Sequence, residues 1–224
     1  MIVSSRIKTI GDFIEKGEKV ADIGADHGLL ELYLIAKYRD IFILAIENKK
    51  GPFAILDHNL RGFKNVRLSL TDGISYLEPG IQTLVLAGMG GLNIKKILDT
   101  YPEKLEHIKK VIVDAHRDIP VVRKTLIDYG FKISTEKIVY EDDKFYVINV
   151  FTKPIDKEKY SDDEIDFGYK IYEDKLWPKY KKFLIKRNTE VIKELRRNSN
   201  NQNKILKLKN INERIRKYGK EQVI

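Results

Sequence analysis

Acidic side chains and glycines follow a short apolar segment near the start of the sequence. Residues 20–28 read VADIGADHG, so an apolar strand ends at Asp22 and turns at once into a helix. Such a turn presents backbone N–H groups and the positive end of a helix dipole to a ligand. Asp26 takes the place of the middle glycine of a pyrophosphate-binding loop, and its charge would repel a pyrophosphate. The loop therefore favours a cationic ligand, with a plain strand-to-helix turn as the alternative.

Two further carboxylates follow the next two predicted strands. Glu47 lies 19 residues beyond Gly28, the spacing at which a carboxylate accepts hydrogen bonds from ribose hydroxyls. Asp72, which precedes Gly73, could lie near an adenine amino group. Alone, these residues are an ordinary strand-end acid and an ordinary Asp-Gly turn. With the first loop they predict S-adenosyl-L-methionine, because this nucleoside also carries cationic sulfonium and ammonium groups.

A glycine-rich loop, GMGG at residues 88–91, follows the fourth predicted strand. Open α/β sheets bind ligands at this edge. A loop without bulk leaves room for a flat base beside a methyl donor, whereas a flexible turn is the alternative. The predicted cofactor-binding residues are therefore Asp22, Gly24, Glu47, Asp72, Gly73, Gly88 and Met89.

Short β-branched segments alternate with amphipathic helical segments over residues 1–154, a pattern typical of a mostly parallel sheet with helices on both faces. Ser4 and Ser5 are candidate caps of a first helix that Gly17 ends. Seven strands, the last two in a hairpin, predict a Rossmann-like class I methyltransferase domain, although a dinucleotide-binding fold has nearly the same elements. The predicted strands are 19–24, 41–47, 66–70, 83–87, 110–114, 132–140 and 144–151, and the later helices are 29–38, 52–61, 92–99 and 121–129.

Helical periodicity without strands follows Pro154. Apolar residues recur at intervals of three and four from Ile165 to Tyr218, and Pro178 must begin or kink a helix. The polar run 198–203 is typical of a turn between two helices. The sequence therefore predicts two domains, 1–154 and 155–224, the second an all-α antiparallel coiled coil.

The positive charge of the chain is concentrated in this second region. The net charge is +9, and residues 175–220 alone contain 16 basic and 3 acidic side chains. A local block of this kind attracts polyanions, whereas a merely solvated helical surface is the alternative. The candidate RNA-binding residues are Arg6, Lys179, Lys181, Lys182, Lys186, Arg187, Arg196, Arg197, Lys204 and Lys207.

Composition excludes several classes of protein. The sequence has no cysteine, which excludes disulfides, thiolate metal sites and cysteine nucleophiles. No apolar run approaches the ~20 residues of a membrane span, and the first residues lack the features of a secretion signal. We expect an unprocessed cytoplasmic protein that holds no metal and acts as a monomer.

The motifs together resemble the TrmK family, bacterial tRNA (adenine(22)-N(1))-methyltransferases. The resemblance implies a Rossmann-like catalytic domain, S-adenosylmethionine as methyl donor, and a helical domain that helps to grip tRNA. It implies methylation of N1 of the adenine at position 22 in the D-arm. The matching stretches are Ser5-Arg6, residues 21–27, Glu47, residues 51–53, Asp72-Gly73 and residues 87–91.

Three residues are candidates for catalysis. Asp26 and His27 lie in the first loop at the expected reaction mouth, although His27 could instead cap the following helix. Asp114 could accept a hydrogen bond from the adenine amino group, or it could be a buried strand-end acid. Residues 114–116 read Asp-Ala-His where members of the family have Gln-Pro-Asn, so no role is transferred to them from the family.

Other functions stay open at this point. One is a methyltransferase of another RNA base, of protein or of a small molecule. Another is a non-catalytic RNA-binding or coiled-coil module. A nicotinamide oxidoreductase is disfavoured by Asp26 and by the basic region.

Overall fold

The computed structural model describes residues 3–154, 158–197 and 201–219. The chain divides into two compact units, Met1–Lys159 and Tyr160–Ile224. The first unit contains a sheet with helices packed on it, and the second contains helices. None of the described helices is both long enough and apolar enough to cross a membrane.

The first unit is built on one seven-stranded sheet with the order β3-β2-β1-β4-β5-β7-β6. The first five strands along the chain pair in parallel, and β7 runs antiparallel to both β5 and β6. This arrangement confirms the predicted mostly parallel sheet with a terminal hairpin. The strands are β1 (Lys19–Ile23), β2 (Phe42–Glu47), β3 (Val66–Leu70), β4 (Thr83–Met89), β5 (Lys110–Ala115), β6 (Lys132–Glu141) and β7 (Lys144–Thr152).

Five helices accompany this sheet: α1 (Ser5–Asp12), α2 (Leu29–Lys37), α3 (Lys50–Leu60), α4 (Gly91–Thr100) and α5 (Ile119–Asp128). Ser4 caps α1 by accepting a hydrogen bond from the Ile7 N–H. The helix ends at Asp12, earlier than the predicted stop at Gly17. The chain tightens into a turn in which the Phe13 carbonyl accepts from the Lys110 ammonium, at 2.8 Å, instead of continuing the helix.

The order of the strands places a crevice beside β1. β1 lies between β2 and β4. From β1 the chain continues to β2 and β3 on one side, and it then crosses to β4 and β5 on the other side. In open sheets, ligands bind at such a switch point, outside the carboxyl ends of the strands. The interiors of β1, β2, β4 and β5 are almost wholly buried, so these strands form a rigid base for the loops at that edge.

The second unit contains α6 (Asp162–Phe167), α7 (Trp177–Leu195) and α8 (Gln202–Lys217). The periodicity over 165–176 does not produce one continuous helix. Gly168 has φ 125° and Lys170 has φ 53°, both outside the right-handed helical region, and a single 3-10 turn follows at Ile171–Glu173. Pro178 lies in the first turn of α7 and so begins a helix as predicted.

Helices α7 and α8 are antiparallel. Lys181, near the start of α7, donates to the carbonyls of Arg216 and Tyr218 at the end of α8, whereas Asn188, further along α7, pairs with Asn212. The buried Asn188 Nδ2 donates to Asn212 Oδ1 at 2.9 Å. The predicted turn at 198–203 lies partly outside the described residues, and a coiled coil stays a prediction.

Candidate functional site

A cavity of about 690 Å³ opens at the carboxyl ends of β1, β2 and β4. Its volume is within the range of ligand-binding pockets. All seven predicted cofactor-binding residues line it, together with both loop candidates for catalysis and one predicted RNA-binding residue. These lining residues are Asp22, Gly24, Glu47, Asp72, Gly73, Gly88, Met89, Asp26, His27 and Arg6.

The loop after β1 has a tightly specified backbone. Gly24 has φ +83° and Asp26 has φ +51°, so the chain enters the left-handed region twice in three residues. The N–H groups of Gly24 and Ala25 both donate to the Ile46 carbonyl, at 2.8 and 3.0 Å, which ties the loop to the end of β2. A Cβ at Gly24 would lie 3.2 Å from Met89 Cε. Two features therefore require glycine at position 24: its backbone lies in the left-handed region, and a side chain there would crowd Met89 of the second glycine motif.

The predicted glycine loop at 88–91 is shorter than expected, because Gly88 and Met89 end β4, Gly91 begins α4, and only Gly90 lies between them. This segment is packed rather than loose. The Gly91 N–H donates to the Arg117 carbonyl at 2.9 Å, and a Cβ at Gly91 would come within 2.5 Å of the Asp118 carbonyl oxygen. Gly88 has φ +77° and is exposed to the cavity. The alternative of a merely flexible turn does not describe this loop, because the second half of it is in backbone contact with the loop after β5.

The carboxylates at the ends of β2 and β3 are held in place by the segment between them. Glu47 is 6% exposed, and its Oε1 accepts from the Lys49 N–H at 2.8 Å. Asp72 is exposed, and its Oδ1 accepts from the Asn48 side chain at 3.0 Å. Both carboxylates are thereby oriented, and each keeps its other oxygen for a ligand in the cavity.

Asp22 and Glu31 form a buried pair of acids beneath the same loop. Burial raises the pKa of Asp22 to about 7, the hydrogen bond from Glu31 opposes this shift, and the charge of Glu47 adds to it. Burial and then the charge of Asp22 raise the pKa of Glu31 well above its ordinary value. Sequence analysis missed Glu31, although its place three residues before the buried Leu34 puts it on the inward face of α2.

The opposite wall contains an acid that is paired with a cation. Arg6 Nη1 lies 3.0 Å from Asp114 Oδ2 and 3.2 Å from His116 Nε2, and its guanidinium lies 5.2 Å from the centre of the Tyr146 ring. The Asp114 side chain is fully buried and is not among the cavity-lining residues. Burial raises the pKa of Asp114, and the charge of Arg6 opposes the shift. Asp114 thus has the surroundings of the buried strand-end acid, and the cavity is faced by Arg6 and His116 instead.

Asp26 and His27 are exposed at the mouth of the cavity. His27 Nε2 lies 3.6 Å from Asp26 Oδ1, and the His27 carbonyl accepts from the Asn59 side chain at 2.9 Å. Helix α2 begins after Gly28 without a side-chain cap, so the alternative role of His27 as a helix cap is not observed. Both side chains are available to a ligand that enters the cavity.

Comparison with known proteins gives the family of this unit. A family described as "Methyltransferase domain" matches residues 3–149. The chain belongs to this family. The methyltransferase domain therefore contains the whole cavity, from Arg6 on α1 to His116 after β5.

Individual relatives of this methyltransferase domain protein were compared along their lengths. The tRNA (adenine(22)-N(1))-methyltransferase of Bacillus subtilis is 28% identical over 152 residues, which are 66% of this chain and 64% of that enzyme. An uncharacterised protein of Listeria monocytogenes has a TM-score of 0.88 and 25% identity, over 96% of this chain and 98% of its own. The structure of M. capricolum TrmK with S-adenosyl-homocysteine has a TM-score of 0.84 and 24% identity, over 97% and 98%. These structures share the fold of the chain.

Beyond the methyltransferase domain, the predicted RNA-binding residues fall into two groups. Lys181 is half-buried, bonds to two carbonyls at the end of α8, and lies 5.7 Å from the centre of the Trp177 ring. The others are exposed side chains on α7 or just after it and on α8: Lys179, Lys182, Lys186, Arg187, Arg196, Arg197, Lys204 and Lys207.

No cluster of residues that could hold a metal ion is found in the described part of the chain.

Proposed function

We propose that this protein is an S-adenosylmethionine-dependent tRNA methyltransferase that methylates N1 of the adenine at position 22. The observation that carries the proposal is the single cavity at the switch point of a methyltransferase domain, which gathers Asp22, Glu47 and Asp72 from three neighbouring strand ends. The relative with 28% identity bears the name of this activity.

The cavity fits S-adenosylmethionine in its charge and shape. Two buried carboxyl groups, Asp22 and Glu47, line the cavity, and neither forms an ion pair with a cation of the described residues, which suits a ligand with cationic groups. Glycine at position 24 leaves space that a side chain would fill against Met89. When bound, this cofactor supplies an electrophilic methyl group. The residues that would hold it are Asp22, Gly24, Glu47, Asp72, Gly73, Gly88 and Met89.

Each carboxylate has a distinct part in this proposal. Glu47, oriented by the Lys49 N–H, accepts hydrogen bonds from ribose hydroxyls. Asp72, oriented by Asn48, accepts from the adenine amino group. Asp22 lies near the end of β1 and balances positive charge. Two of these acids are therefore positioned before a ligand arrives, which reduces the entropy cost of binding.

The target base enters beside Asp26, His27 and the loop at 88–91. Adenine N1 has an in-plane lone pair, so positioning supplies most of the catalysis. The base must first leave its stack, at a cost of a few kcal/mol. Asp26 and His27 line the mouth where the Watson–Crick edge would be held. We assign Asp114 a positioning role through Arg6, which it holds at 3.0 Å, instead of a contact with the base.

The basic second region, residues 155–224, would grip the tRNA backbone. Phosphate contacts come from the eight exposed lysines and arginines of α7 and α8. The catalytic region is 1–154 in this proposal. The protein acts in the cytoplasm, where its tRNA substrate is found, and as a monomer.

Primer extension on tRNA tests the proposed function. The full chain is incubated with S-adenosylmethionine and an unmodified transcript, and reverse transcription should stop at adenine 22, because N1-methyladenine blocks pairing. A transcript with guanine at position 22 is the control and should be copied through. Mass mapping of a methylated nucleotide elsewhere would indicate another base, and absence of cofactor binding in calorimetry would indicate a non-catalytic module.

A further inference from the structure

Glu31 is an enclosed acid that lies behind the cavity rather than on its surface. It is in the first turn of α2 and has 0% exposure. Neither of its buried carboxyl oxygens accepts a hydrogen bond from a donor of the described residues. An ionised carboxylate is strongly disfavoured in such surroundings. Burial and the charge of Asp22 therefore raise the pKa of Glu31 well above its ordinary value, which favours its protonated form.

The group that Glu31 meets is the carboxyl of Asp22. Asp22 is the penultimate residue of β1, is 6% exposed and lines the cavity, whereas Glu31 does not line it. Two facing carboxyl groups form a hydrogen bond only if one of them is protonated. Because Asp22 reaches the cavity and Glu31 does not, Glu31 is the donor of that bond and Asp22 the acceptor.

Within the part of the chain that the structure describes, no cation forms an ion pair with this group of acids. The charged side chains that act on Asp22 are Glu31 from α2 and Glu47 from β2, and the one that acts on Glu31 is Asp22. Glu47 is 6% exposed and is itself oriented by a backbone N–H. Three carboxyl groups thus share a nearly buried space in which a positive ligand would be the missing partner.

We propose that Glu31 is a positioning residue, which donates its proton in a hydrogen bond to Asp22, and that a cationic ligand entering beside Asp22 releases up to one proton from this buried pair to solvent. The proposal rests on the proposed function, since S-adenosylmethionine is the cationic ligand. In the free protein the pair holds up to two protons. In the bound state Glu31 keeps one, and the Asp22 carboxylate faces the ligand.

The direction of the pH dependence follows from the balance of protons. Since burial raises the pKa of Asp22 to about 7, this carboxyl is partly neutral in the free protein at neutral pH. Below that pH the ligand must expel a proton, so its affinity falls as the pH falls. Above it Asp22 is already ionised, and the affinity becomes independent of pH.

The test compares Glu31→Gln with Glu31→Leu in the full chain by calorimetry, from about pH 6 to about pH 8.5. Two buffers of different ionisation enthalpy give the number of protons released. Glutamine keeps an N–H donor for Asp22, so we expect binding of S-adenosylmethionine within about twofold of wild type. Leucine removes the donor, so we expect about tenfold weaker binding at neutral pH, with the fall in affinity shifted to higher pH.

A neutral ligand is the matched control. 5′-Methylthioadenosine shares the adenosine part but has no charged group, so its binding should release no proton and should be equal in all three proteins. Equal weakening of both ligands by Glu31→Leu would reduce Glu31 to a packing role and overturn the proposal. So would a glutamine variant as weak as the leucine variant, or a leucine variant with wild-type affinity and pH profile.

A measurement without ligand separates this inference from the proposed function. Carboxyl carbon NMR of the free protein should show one carboxyl that titrates near neutral pH and one that stays protonated beyond it, the latter lost in Glu31→Gln. Titration of both groups at ordinary acidic pH would overturn the inference even if the enzyme methylates tRNA. Failure of S-adenosylmethionine to bind would instead overturn the cofactor assignment, with the proton on Glu31 still established by the NMR result.

Discussion

The two walls of the cavity contain buried acids in opposite surroundings. On one wall, Asp114 is paired with Arg6 at 3.0 Å. On the other, Asp22 and Glu31 face each other, and no cation of the described residues forms an ion pair with either. The same first unit also buries Glu136 against Arg123 at 2.8 Å, away from the cavity. A paired acid has its charge compensated within the fold, whereas an unpaired acid at a cavity keeps its charge for a ligand. The contrast separates residues that hold the fold together from residues that bind.

The largest expected effect tests the paired side of this contrast. Arg123→Met leaves Glu136 buried without its cation, and we expect a loss of about 3 kcal/mol or more in the free energy of unfolding, measured in urea. Lys124→Met is the control, because its partner Asp128 and itself are both exposed. The control should change stability by less than about 0.5 kcal/mol. Equal losses in both variants would contradict the structural role of the buried pair.

Asp22→Asn and Asp114→Asn test the unpaired side directly. Asp22→Asn removes the charge kept for the ligand, and we expect about hundredfold weaker binding of S-adenosylmethionine, with no loss of stability at neutral pH. Asp114→Asn should show the reverse, with lower stability because the half-buried Arg6 loses its anionic partner, and with a much smaller change in binding. For each variant, calorimetry gives the affinity for S-adenosylmethionine and urea unfolding gives the free energy of unfolding. A large binding defect in both would show that the two walls are equivalent.

The pH dependence of stability offers a further comparison. The pKa of Asp22 is raised in the folded state, so the unfolded chain loses this proton first as the pH rises from about 4 to about 7. Stability contributed by the protonated acid is therefore lost over this window. The free energy of unfolding of Asp22→Asn, relative to that of wild type, should therefore rise by more than about 1 kcal/mol between these pH values. A shift of one pKa unit corresponds to about this free energy. Parallel stability curves for the two proteins would refute the raised pKa.

The smallest expected effects concern the basic helices. Lys182→Gln removes an exposed cation, so tRNA binding should weaken a few-fold and the log–log salt slope should fall by about 0.7–0.9, without loss of stability. Lys181→Gln removes a side chain that bonds to two carbonyls at the end of α8, so it should lower the melting temperature. Filter binding at several salt concentrations measures tRNA affinity, and thermal unfolding measures stability, so together they distinguish the two variants. Identical profiles would remove the distinction between paired and exposed lysines.

Sequence analysis predicted the parts of the site whose signals come from residues that are close together in the sequence. The loop at 20–28, Glu47 and the loop at 88–91 carry local signals, because each combines a strand end with glycine or an acid at a set spacing. All of them meet at one cavity. Local signals also predicted the seven strands with small shifts at their ends.

Features that depend on distant contacts were missed or left open. Arg6 and Asp114 are 108 residues apart, and nothing in either segment reveals that they pair. Glu31 reads as an ordinary acid in the first turn of a helix, where exposed acids are common. The helical periodicity that begins at Ile165 is interrupted at Gly168 and Lys170, whose backbone conformations the spacing of apolar residues does not reveal.

The amide pair between α7 and α8 limits how this part of the protein can vary. Asn188 and Asn212 are 7% and 4% exposed, and Asn188 Nδ2 donates a hydrogen bond to Asn212 Oδ1. Sliding one helix along the other by a single turn would leave two dehydrated amides against hydrocarbon, a cost that opposes any other alignment. Insertions and deletions between the end of α7 and the start of α8 should therefore be tolerated better than those between Asn188 and the end of α7, because they do not alter the alignment that the amides set.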